Sequence, residues 1–156
     1  MSAAPFCPSC NRRKHKARVV ELLSMFITEL LLRGNTHDNV KFESPEREAF
    51  DGAALKLSGM TFNTPEYNKC KKEELGAALA HHYAWCRHHP EHFANGVDDM
   101  TLIDLVEFLV DCKAASEQQN DGNIMRSIDE LSKNHNITAQ LAQILRNTIN
   151  AFSLKE

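Results

Sequence analysis

The sequence predicts an all-α protein, a single compact domain of about six helices. Apolar residues recur at spacings of three and four through most of the chain. No stretch shows the strict apolar–polar alternation of a half-buried strand. Helix start and stop signals fall between the periodic stretches, where such a fold needs them.

The elements follow in order. Val19, Leu22, Leu23, Phe26, Ile27 and Leu30 predict a helix over 15–33, with Gly34 in the C-terminal capping position. Residues 1–14 read as a flexible leader and 15–156 as the domain. Ser44-Pro45-Glu46 supplies a hydroxyl N-cap, a proline at the first helical position and an acid at the positive end of the dipole. That opens a helix reaching about Leu57. "SGMTFNTPEYN" is a loop in which Thr64-Pro65-Glu66 starts a short turn. The segment 73–88 is helical and stops before Pro90. Asp98 and Asp99 precede a helix over 101–116, and "NDGN" is a turn. Two amphipathic segments, 123–133 and 138–152, close the chain. In the last of them, Leu141, Ile144, Leu145 and Ile149 suit a core face or a homodimer face equally.

Composition narrows the classes of function. The 156 residues are 42% hydrophobic and 25% charged, values of an ordinary globular domain. The longest apolar candidate, "VVELLSMFITELLL", is interrupted by Glu21 and Glu29 and falls short of the ~20 residues that cross a bilayer. The start of the chain lacks the basic and apolar regions of a secretory signal, so a cytoplasmic location and no membrane partner are expected. A net charge of −3 gives no general attraction to nucleic acid. Only "NRRKHKAR" is basic, as a solvated leader or as a patch steering phosphate toward a site. "CPSC" (Cys7, Cys10) is half of a zinc ribbon with no second half. Cys86 and Cys112 fall in apolar patterns and read as small packed hydrophobes.

Histidine is the unusual residue. Five of the eight lie within twelve positions of "ALAHHYAWCRHHPEHF". On an ideal helix Leu75, Leu79, His82, Cys86 and His89 form one stripe, which aims His82 and His89 at the interior. His81 and His88 form a parallel pair. Two imidazoles on one buried face can share a metal ion. The helix "TLIDLVEFLVDCKAA" is apolar almost all round, yet Asp104, Glu107 and Asp111 make an acidic stripe along it. Either that stripe faces solvent or cations meet it in the interior; in the second case Asp111 is the favoured ligand, with Glu107 supporting from behind. His37 and Asp38 are adjacent in "THDNVK", with Lys41 close by. His15 shares the apolar stripe of the first helix.

Read in order, His15, His37-Asp38 with Lys41, His82, His88-His89 and Asp111 resemble the pattern of the HD superfamily of metal-dependent phosphohydrolases. "HDNVKFESPE" followed by "HHYAWCRHHPEHF" is similar, more narrowly, to an uncharacterised group of small proteins common in bacteriophages and bacteria. The resemblance implies an HD-domain-like helical fold and hydrolysis of a small phosphorylated substrate: a phosphomonoester, a nucleoside triphosphate or a cyclic nucleotide. It implies metal ligands among His15, His37, Asp38, His82, His89 and Asp111. Mixed nitrogen and oxygen ligation suits one or two ions of manganese, iron, cobalt, nickel or zinc, with magnesium also admitted. A metal-activated water would attack, Lys41 would neutralise phosphate charge, and His88 or His92 would protonate the leaving oxygen. The rival expectation is a helical interaction module, of the kind a phage uses against a host factor, with a structural metal or none. Nucleic-acid binding through "NRRKHKAR" ranks third.

Overall fold

The structure is a computed structural model that describes residues 8–60, 64–118 and 122–153, without the side chains of 152 and 153. It is 82% helical, with six α-helices and no strand among the described residues. The helices are α1 (Pro8–Thr36), α2 (Glu46–Leu57), α3 (Pro65–Trp85), α4 (Leu102–Glu117), α5 (Ile124–Asn134) and α6 (Ala139–Ser153). Short 3-10 turns lie at Asn39–Phe42, Pro90–His92 and Gly96–Asp99. Contacts divide the chain into two units, Met1–His37 and Asp38–Glu156.

The first unit is α1, a helix of 29 residues. Residues 8–14, expected in a flexible leader, are its opening turns, and residues 1–7 lie outside the described ones. The helix also runs through Gly34 to Thr36. One glycine costs a helix only about 1 kcal/mol, too little to stop it alone.

In the second unit α2 packs on α3, burying Ala53 against a face that carries Leu75 and Ala78. Helix α2 begins at Glu46 with Pro45 as N-cap and no side-chain cap, so Ser44 does not cap it. The Ser44-Pro45 peptide is cis. Thr64 is the true cap on the next helix, accepting from the Tyr67 amide, and α3 starts eight residues earlier than its periodicity suggests. It also ends earlier, at Trp85. His89 is extended (φ −97°, ψ 129°) as the residue before a proline prefers. His88 and His89 therefore sit beyond the helix.

Helices α4, α5 and α6 surround the main core of Phe108, Leu109, Ile128, Ala142, Leu145 and Ile149, joined by Val97 and Ile137. Leu145 and Ile149 are thus core residues, with Leu141 packed against them, whereas Ile144 is exposed. Cys112 packs against the same cluster. Helix α4 starts on a capping box: Thr101 Oγ1 accepts from the Asp104 amide, and Asp104 accepts in turn from the Thr101 amide at 2.9 Å.

Candidate metal centre

The site is built in the second unit from the turn that opens it, from α3 and from the chain just after α3. Asp38 takes a left-handed backbone, φ 57° and ψ 16°. Aspartate tolerates that region better than most residues, and such geometry concentrates at functional positions. The turn is closed by the Lys41 amide donating to the Asp38 carbonyl at 2.8 Å. It brings Lys41 Nζ to 2.5 Å from Asp38 Oδ2, with the ammonium 5.3 Å from the Phe50 ring centroid.

The other carboxylate oxygen faces histidines. Asp38 Oδ1 lies 3.2 Å from His82 Nε2 and 3.5 Å from His88 Nε2. His82 Nε2 is also 3.0 Å from His89 Nε2. Asp38, His82, His88 and His89 each offer one donor atom, and all four atoms lie within 4.8 Å of one another. His82 and His88 are buried and His89 half-buried, so the cluster opens toward solvent on the His89 side.

Behind each buried imidazole stands a buried carboxylate. Glu46 is fully enclosed and receives two adjacent rings, His81 Nδ1 at 2.7 Å on one oxygen and His82 Nδ1 at 2.9 Å on the other. An ionised carboxylate only accepts, so both Nδ1 atoms are donors and the His82 Nε2 lone pair points into the cluster. Glu107 does the same for His88, with Oε1 3.2 Å from Nδ1. This is the carboxylate–histidine arrangement that fixes tautomer and ring angle around metal ions. Burial, reinforced by the charges His88 and His82 can carry, pushes the His89 imidazole down to about 3. It is therefore neutral, as a ligand must be.

The donor set fits a divalent cation. Ligands ~2.0–2.1 Å from a tetrahedral ion stand about 3.3–3.4 Å apart; three of the six separations here are 3.0, 3.2 and 3.5 Å, and all lie within 4.8 Å. Asp111, half-buried on α4, offers an oxygen within 4.8 Å of a His88 ring nitrogen but is not one of the four mutually close donors. Four carboxylates, from Asp38, Glu46, Glu107 and Asp111, thus collect around four imidazoles, of His81, His82, His88 and His89, and one lysine. A cation in the middle relieves their mutual repulsion.

The sequence-derived candidates divide. Asp38, His82 and His89 converge as expected, and Asp111 stands beside them. His88 joins the cluster as a donor instead of standing apart as an acid. His92 is engaged elsewhere: its Nδ1 donates to the Tyr83 carbonyl at 2.9 Å, latching the Pro90–His92 turn to the end of α3. His15 is exposed on α1 in the first unit and is not among the converging residues. His37 is the last residue of that unit, half-buried and directly bonded to Asp38. Asp104 is buried for a different reason. It accepts from Thr101 and from Arg87 Nε and Nη2 at 3.2 and 3.1 Å, which ties the start of α4 to the chain after α3.

Glu46 was missed as a site residue, since a helix-start acid explains its position without burial. The signal available was the pair His81-His82, which needs an acceptor. Cys86 Sγ lies 3.5 Å from His82 Nδ1. Burial and the nearby Asp38 and Glu46 charges raise this thiol to about 11, so it stays protonated.

The fold and the cluster together define an all-helical protein with an imidazole–carboxylate cluster that could hold a metal ion. The family of unknown function DUF5662 matches residues 9–151, and the chain belongs to that family. Neither the curated proteins nor the solved structures gave a match.

Proposed function

We propose that the chain binds a divalent transition-metal ion through Asp38, His82, His88 and His89, and that it is a phosphohydrolase of small phosphorylated molecules, nucleotides foremost. The observation that carries this reading is the convergence of three Nε2 atoms and Asp38 Oδ1, with Glu46 and Glu107 holding two of the rings from behind. When bound, such an ion polarises a phosphoryl oxygen and makes water acidic enough to attack near neutral pH. The remaining roles belong to the chain. Glu46 and Glu107 keep the His82 and His88 lone pairs turned inward. Lys41 orients Asp38 and, with its side chain one-third exposed, keeps ammonium hydrogens for phosphoryl oxygens entering from solvent. The half-buried His89 side is the entrance. Asp111, near His88 but outside the four-donor set, leaves room for a neighbouring ligand or ion, which favours catalysis over a closed tetrahedral site. The reading extends the resemblance to HD phosphohydrolases drawn from the sequence.

The test is phosphate release by chelator-free protein loaded in turn with manganese, cobalt, nickel, zinc and magnesium. The substrates are nucleoside monophosphates, nucleoside triphosphates and cyclic nucleotides. Turnover that disappears in Asp38→Ala is the expected result. Metal-loaded protein with no turnover on any of them contradicts the hydrolase reading and favours a helical interaction module with a structural ion. That second reading has its own observation: the four-donor cluster is by itself enough to close a tetrahedral site.

A further inference from the structure

Two of the three imidazoles in the cluster have a carboxylate behind them, Glu46 for His82 and Glu107 for His88. His89 differs. No carboxylate among the described residues hydrogen-bonds to it, and its Nε2 faces His82 Nε2 at 3.0 Å. Its ring is met by other rings, those of His88, His82 and Tyr83, with centroids 4.2, 4.9 and 4.9 Å away. It also stands beyond the end of α3 on extended backbone, where no helical turn fixes it. A ligand in that position needs another support.

His92 supplies it from both ends. Its backbone amide donates to the His89 carbonyl at 3.0 Å, closing the 3-10 turn over the buried Pro90. Its ring Nδ1 donates to the Tyr83 carbonyl at 2.9 Å. That carbonyl belongs to the last turn of α3, where a helix has no amide to offer. A carbonyl only accepts, so this bond places the His92 proton on Nδ1. The Tyr83 ring in turn packs on the His89 ring at an interplanar angle of 57°. The three residues form a closed circuit: His89 backbone to His92 backbone, His92 ring to Tyr83 backbone, Tyr83 ring to His89 ring. The Phe93 ring steadies the His92 ring edge-on, with centroids 4.8 Å apart, and carries the Arg87 guanidinium 4.9 Å from its own centroid. Every member of the circuit lies in the second unit.

We infer that His92 is a positioning residue of the metal centre: its hydrogen bond to the Tyr83 carbonyl holds His89 in place as a ligand, the part that Glu46 and Glu107 play for His82 and His88. The inference rests on the proposed metal binding and is independent of the proposed phosphohydrolase activity. It gives His92 a different task from the acid that the sequence suggests.

The test is zinc affinity by competition with a chelating dye, measured on full-length wild type, His92→Leu, His92→Asn and His89→Ala. His92→Leu should bind zinc about 10–100-fold more weakly, the scale of a lost supporting hydrogen bond. His92→Asn, whose amide nitrogen stands close to the place of Nδ1, should recover most of that loss. In a His89→Ala background His92→Leu should weaken zinc no further, because both changes act through one ligand. Wild-type affinity in His92→Leu, equal losses in the leucine and asparagine variants, or losses that add in the double variant overturn the inference and leave the metal centre standing. A wild type that binds no zinc overturns the metal reading and this inference together. Nitrogen NMR of the wild-type histidines depends on no variant folding. It should find the His92 proton on Nδ1, and a proton on Nε2 alone overturns the inference.

Discussion

Glu46 Oε2 lies 2.9 Å from His82 Nδ1, and neither side chain is more than 1% exposed. One carboxylate, at the first position of α2, thereby sets the ring of a histidine near the end of α3, while its other oxygen holds His81. The position of the His82 lone pair is consequently a property of helix packing.

Glu46→Gln keeps the shape and removes the charge. Supporting carboxylates of this kind are worth about 10–100-fold in metal affinity, so zinc or manganese binding should weaken by that factor in a competition titration with a chelating dye. Glu46→Ala leaves the buried His82 donor and the partly exposed His81 donor without their acceptor and should also lose about 1–3 kcal/mol of stability. Wild-type affinity in the glutamine variant would show that the carboxylate does not orient the ligand.

The acids of α4 should separate in the same assays. Asp104→Ala removes a capping box and both Arg87 hydrogen bonds from a fully buried position, costing about 2–4 kcal/mol by thermal or urea unfolding. Its metal affinity should stay near wild type. Glu107→Gln should do the reverse, weakening metal binding with little change in unfolding midpoint.

Lys41→Ala addresses the anion side of the site. With the cation 2.5 Å from Asp38 gone, metal content should persist while kcat/KM on a phosphorylated substrate falls by about 10²-fold, the usual scale for one preorganised charge donor. An unchanged kcat/KM would make Lys41 a partner of Asp38 only.

Cys112, beside Asp111 and packed against the main core, gives a pH test. Burial first, then the Asp111 charge, raise its thiol to about 12. A folded value above the unfolded ~8.5 means that the thiol's contribution to stability is complete below pH ~8.5 and is lost as pH rises toward the folded value. Iodoacetamide should label Cys112 far more slowly than free cysteine at pH 8, since the thiolate is the reactive form. The decline of Tm above pH ~9 should be shallower in Cys112→Ala.

How much of this was legible in the sequence differs from residue to residue. Helix α4 was, as a long apolar run bounded by turn signals, and α5 and α6 were, because each sets a one-sided apolar stripe against a common core. His82 was legible for the same reason. His89 was expected in the cluster on an argument that does not hold: the helical stripe stops at Trp85, and the pre-proline extension before Pro90 is what delivers His88 and His89. Glu46 was not legible, since nothing local distinguishes a solvated helix-start acid from a buried one. Nor was the state of α1. Its periodicity says that one face must be covered, and periodicity does not name the cover.

The most direct measurement is the metal content of wild type and Asp38→Ala, both purified without chelator and dialysed against trace divalent ions, by plasma mass spectrometry. The account predicts at least one equivalent of a transition metal in the folded wild type and its loss in a variant that remains folded. A folded wild type that retains no divalent ion, or an Asp38→Ala protein that retains as much as wild type, would contradict it.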